Sequence, residues 1–120
     1  MSRPARVEID VSAATHNLST VRSLIGCSKI LAVVKADAYG HGLDLIAKSF
    51  DDADAFGVVS TEEAIALREL NISHRIVLLE GFFEKKELEI IREFRLEPVI
   101  HSHDQIDILP EPRTNLSNIW

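Results

Sequence analysis

The apolar positions along the chain fall into short runs separated by longer stretches with helical spacing. Ile30 to Val34 is five consecutive apolar residues, Ala55 to Val59 and Arg75 to Leu79 are further largely apolar runs, and Pro98 to Ile100 is a shorter one. Continuous Val/Ile/Leu-rich runs of this length fit strands buried on both faces, as in a parallel sheet. Between them lie amphipathic stretches. Ser12 reads as the N-cap of a helix to about Ile25, with Leu18, Val21, Leu24 and Ile25 as its stripe and Gly26 as its stop. Further helices are predicted from about Leu43 to Phe50, from a capping box at Ser60–Glu63 to Leu70, and from about Glu84 to Phe94. A last one opens at a second capping box, Ser102–Gln105, and ends at Pro110. Val7 to Ile9, alternating with charged neighbours, reads as a short leading strand with one wet face.

Strand starts at Ile30, Ala55, Arg75 and Pro98 are 20 to 25 residues apart, which is the pitch of βα units with right-handed crossovers. Two α/β folds carry that pattern, an open doubly wound sheet and a (β/α)₈ barrel. A barrel of about 250 residues needs roughly twice this length. The chain stops in what reads as the opening of a fifth strand, Ile119-Trp120, after a Pro-, Asn- and Ser-rich loop over the last ten residues. The expectation is therefore the amino-terminal piece of a larger barrel enzyme.

Composition narrows the partners. A net charge of −6 and a pI near 5.3 argue against nucleic acid or an anionic membrane surface. No apolar run approaches the roughly 18 residues of a membrane span, and the amino terminus lacks the apolar core of a signal peptide. Cys27 is the single cysteine, so a reducing cytoplasm is the default compartment. The acidic Asp51, Asp52 and Asp54 read as a solvated turn, and His101 with His103 as a helix-start pair, rather than as metal ligands.

Both folds gather the strand exits at one mouth: Lys35 with Tyr39, Ser60 with Glu62, Glu80 to Phe83, and His101 with His103. Lys35 is either a strand-end lysine reaching for water or a partly desolvated amine able to bond a carbonyl or pyridoxal phosphate. Tyr39 is either a half-buried ring with a wet hydroxyl or a donor to an anionic group held beside Lys35. Gly40 and Gly42 allow close approach of a ligand, and His41 reads as a loop histidine.

The stretch Ala32-Val-Val-Lys35-Ala-Asp-Ala-Tyr39-Gly-His-Gly42 closely resembles the cofactor-attachment motif of the alanine racemases, with Asp37 where that family usually has Asn. Further stretches resemble the same family in the same order. They are Ile9-Asp10 with His16-Asn-Leu18, Ala53 to Val58, Glu62 to Arg68, and Leu78 to Phe83. The resemblance implies the amino-terminal half of a (β/α)₈ barrel that binds pyridoxal 5′-phosphate, here residues 1–120 of an incomplete domain. A β-rich carboxyl-terminal domain would follow, in a homodimer acting on alanine. Lys35 would be the Schiff-base lysine and one of two catalytic bases, and Tyr39 would hydrogen-bond the cofactor phosphate. The second base, a tyrosine of the partner subunit, and the groups facing the pyridine nitrogen and substrate carboxylate would lie beyond residue 120. The 120-residue chain by itself is therefore expected to be nearly inactive. Alternatives are a barrel acting on another amino acid and a non-catalytic binding module.

Overall fold

The computed structural model describes residues 4–111, 116 and 118–120. Four parallel strands form one sheet in the order β1 (Leu31–Val33), β2 (Ala55–Val58), β3 (Arg75–Leu78) and β4 (Leu96–Pro98). Helices separate them: α1 (Val11–Leu24) before β1, α2 (Lys35–Gly40) and α3 (Leu43–Ser49) between β1 and β2, α4 (Thr61–Glu69) before β3, α5 (Glu87–Glu93) before β4, and α6 (His103–Ile108) after it. Each strand pairs with its neighbours in sequence. A doubly wound sheet reverses its order part-way, whereas a barrel does not. The order is thus that of a barrel wall.

The two faces differ as a barrel wall requires. Ala32, Phe56, Ile76 and Leu96 share one register row, turn toward the helices and are buried with Ala47, Leu67 and Ile91. On the other face Val33, Gly57, Val77 and Glu97 form a row. A Cβ built on Gly57 lies 3.4 Å from both Val33 and Leu79, so this face is closely packed over β2. At the edge, Leu31 and Val33 are more than a third exposed.

Trp120 pairs with the exit of β4. Trp120 N–H donates to Pro98 O (3.0 Å) and Ile100 N–H donates to Trp120 O (2.8 Å), the slanted pairing of parallel strands. Buried Glu97 ties the same place together: it accepts from Arg75 through both oxygens (2.7 Å each), from the Trp120 indole (2.7 Å) and from Asn118 (3.1 Å). Its carboxyl is held below the ordinary range chiefly by Arg75, against the cost of burial.

Several boundaries differ from those expected. Val7 to Ile9 form no strand among the described residues, and Val7 is 85% exposed; alternation without a neighbouring edge to pair with does not make a strand. The N-cap of α1 is Asp10, whose Oδ1 accepts from Ser12 N (2.9 Å) and Ala13 N (3.1 Å), with the Ser12 hydroxyl added at 2.6 Å. β4 starts two residues early, after Arg95 at φ 52° turns the chain out of α5, and α5 starts at Glu87 rather than Glu84. Residues 112–115 and 117 of the expected terminal loop lie outside the described residues.

Candidate active site at the strand exits

The last pairing of β1 is Val34 N–H to Gly57 O (2.9 Å), and Lys35 follows at once. What comes next is the unusual feature of the molecule. Ala36, Asp37, Ala38 and Tyr39 all have φ of 52–55° and ψ of 37–54°, one full turn of left-handed helix. For L-residues that conformation costs roughly 1–2 kcal/mol each, and only Asp37 belongs to a type that visits it readily. The turn persists because its surroundings hold it. Ala38 N–H donates to Val34 O (2.9 Å), Gly42 N–H to Asp37 O (3.0 Å), and Leu43 N–H to Asp37 Oδ1 (2.7 Å). His41 Nδ1 lies 2.9 Å from Ala38 O. Asp37 thereby places a carboxylate on the first turn of α3, whose own N-cap, Gly42, has no side chain to offer. Strain of this kind gathers at functional sites.

The neighbouring exits are fastened by a recurring device. The N-caps Ser60 and Ser102 accept from Glu63 N (3.3 Å) and Gln105 N (3.2 Å), as the capping boxes predict. The return halves of the boxes go one residue further back than expected: Glu63 Oε2 accepts from Val59 N (2.9 Å) and Gln105 Oε1 from His101 N (2.9 Å). Glu87 does the same for Phe83 N and Glu84 N (2.7 and 2.8 Å). Gln105 Nε2 also donates to Glu80 O and Phe82 O (3.1 Å each), fixing the β3 exit to the β4 exit. Gly81, at φ 71°, makes this contact possible, because a Cβ there would sit 2.3 Å from Val99 O.

Against these paired groups, the two residues singled out in the sequence stand apart. Lys35 is half-buried and Tyr39 is 60% exposed, and neither side chain has a hydrogen-bond or ion-pair partner among the described residues. Lys35 immediately precedes the left-handed turn and Tyr39 is its last residue, four positions on. Tyr39 lines a cleft of about 680 Å³ with Val33, His41, Asp10 and Asn17; Lys35 does not line it. Glu62 sits exposed at the β2 exit. Its carboxyl is held below the ordinary range first by its own backbone N–H, then by the Ser60 hydroxyl. His101 Nε2 lies 3.1 Å from Glu80 O, while His103 is exposed in the first turn of α6. Among the described residues no three His, Cys, Asp or Glu side chains are grouped to hold a metal. Asp37 and Glu63 are the residues that sequence reasoning left in supporting parts; the Asn-to-Asp departure and the acid at the end of a capping box were the available signals.

The family defined by the alanine racemase N-terminal domain matches residues 9–118. The chain belongs to that family. An alanine racemase of Nitrosomonas europaea is 50% identical over 109 residues, covering 91% of this chain and 30% of the relative. The structure of alanine racemase from Acinetobacter baumannii superposes with a TM-score of 0.86 at 35% identity, over 92% of this chain and 34% of that one. A structure of alanine racemase from Bartonella henselae, solved with covalently bound pyridoxal phosphate, matches at TM-score 0.76 and 32% identity, over 82% of this chain and 28% of that one. The chain thus spans about a third of the length of the relatives it matches. Its four parallel strands and intervening helices are part of the barrel of these enzymes.

Proposed function

We propose that this chain is the amino-terminal barrel portion of a pyridoxal-phosphate-dependent alanine racemase, and that Lys35 and Tyr39 are its contribution to the site. The observation that carries the reading is a half-buried amine and a phenol, neither with a partner among the described residues, at the two ends of one strained turn at a strand exit. The residues present suit the cofactor. A primary amine is what binds an aldehyde covalently, and a phenolic hydroxyl donates to a phosphate oxygen. Lys35 would hold pyridoxal 5′-phosphate through Nζ, and Tyr39 would hydrogen-bond its phosphate. When bound, the cofactor withdraws electrons from the substrate Cα, so that a modest base can take the proton there.

Lys35 Nζ, when free, is that base on one face of Cα, and returns a proton to the same face when turnover runs the other way. The strained backbone from Ala36 to Tyr39 fixes the backbone from which the Lys35 and Tyr39 side chains depart, so that proton transfer and phosphate binding would share one backbone element. Inversion also needs a proton donor on the opposite face. We place that group, the substrate-carboxylate contacts and the dimer partner in the full-length homodimer. The direct test is incubation of the full-length protein and cofactor with L-alanine, following D-alanine by a chiral assay. Interconversion of the two alanines at an enzymatic rate is expected. Racemisation confined to another amino acid would redirect the substrate assignment, and none with any amino acid would reject the reading.

A further inference from the structure

We infer that Glu63 is a positioning residue for Lys35. Glu63 is the one carboxylate among the described residues whose two oxygens accept backbone N–H groups from two different strand exits. Oε1 takes Ala36 N–H at 2.8 Å and Oε2 takes Val59 N–H at 2.9 Å. Ala36 is bonded to Lys35 and is the first left-handed residue, at φ 52° and ψ 54°. The clamp therefore acts at the point where the chain leaves β1 and the lysine side chain is aimed. Helix α4, which carries Glu63, is itself fixed at its start by the Ser60 cap and packed on the core through Ala64 and Leu67. The direction of the Lys35 Cα–Cβ bond is in this way referred to β2 and α4 rather than to its own flexible surroundings.

A cap alone does not account for the arrangement. The Ser60 hydroxyl already serves α4, and the Val59 bond needs only one oxygen. The second oxygen reaches 27 positions back in the chain to a turn that its own residues disfavour. Ala36 is exposed, so water can replace Glu63 as acceptor of its N–H. Loss of the carboxylate then releases the turn more than it unfolds the protein, which separates positioning from stability.

The inference rests on Lys35 being the cofactor lysine, and the test reads the two apart. The full-length protein is titrated with pyridoxal 5′-phosphate, fixed with borohydride at each concentration, and the pyridoxyl group on the Lys35 peptide is measured by mass spectrometry and scaled to the folded fraction. Amide exchange at Ala36 and Val59 is followed in parallel. Glu63→Gln, which keeps one acceptor of two, and Glu63→Ala, which keeps none, are compared with wild type and with Arg22→Ala, a change at the opposite end of the sheet. In the Glu63 variants half-labelling is expected to need on the order of ten- to a hundredfold more cofactor, most in Glu63→Ala, with faster exchange at Ala36. Arg22→Ala should label like wild type. A wild-type curve retained by both Glu63 variants overturns the positioning role while leaving Lys35 as the cofactor lysine. Absence of label on Lys35 in wild type overturns the reading of the lysine and this inference with it.

Discussion

The two ends of the sheet are built on opposite terms. At the amino ends of the strands, several charged groups are matched. Arg22 donates to Asp52 and Asp54, the latter at 3.0 Å, and also to the Asp52 carbonyl. Lys29 and the Ile30 N–H complete Asp54. Arg68 spans the next loop, donating to the carbonyls of Ile72 (2.7 Å), His74 (2.8 Å) and Phe94 (3.0 Å). At the carboxyl ends the backbone is held by Asp37, Glu63, Glu87 and Gln105, yet the amine of Lys35 and the phenol of Tyr39 have no partner among the described residues. At one end Arg22, Lys29 and Arg68 are tied to carboxylates and carbonyls; at the other a held backbone presents two side chains that have no partner among the described residues. A barrel enzyme divides its labour in this way.

Changes at the two ends should therefore separate. Lys35→Ala in the full-length protein should lower racemase turnover on the order of 10³-fold or more while leaving stability within about 0.5 kcal/mol, read by a chiral assay and by thermal unfolding. Arg68→Ala should do the reverse: the loss of its carbonyl contacts should cost about 2–4 kcal/mol by denaturant unfolding, with little change in turnover per folded molecule. Equal damage to both properties by either variant would remove the distinction.

How far these ends were legible in the sequence differs too. β1, β2 and β3 were, since runs of apolar residues that long leave few other fates, and so were Ser60 and Ser102 as caps; the strand expected at Val7–Ile9 did not form, and β4 lies two residues earlier than expected. Asp10 and Ser12 are both competent caps; the apolar spacing pointed to Ser12, whereas the fold uses Asp10. The left-handed turn was invisible for a better reason. Ala-Asp-Ala-Tyr has no glycine, and nothing local asks for positive φ; the demand comes from Glu63 and Leu43, contacts made only in the fold. Lys35 and Tyr39 were legible as a motif, whereas the scaffold that aims them was not.

Smaller effects sharpen the contrast. Tyr39→Phe removes one donor from an exposed ring and should raise the cofactor concentration needed for half-saturation about tenfold, with the unfolding midpoint unchanged. At the other end, the Ile30 N–H and Lys29 hold the Asp54 carboxyl well below the usual range, with Arg22 adding to them. A depressed folded value means that its stabilisation is complete above the unfolded aspartate value, near pH 4, and fades as pH falls toward the folded one. Asp54→Asn should therefore narrow the gap in stability between pH 7 and pH 3. A gap equal to that of wild type would show that Asp54 is not part of the acid sensitivity.

The most direct measurement is borohydride fixation of the full-length protein with pyridoxal 5′-phosphate, followed by peptide mapping. A single pyridoxyl group on Lys35, absent from Lys35→Ala, is the predicted result. A label on Lys29, Lys48 or another lysine with Lys35 unmodified would contradict the account.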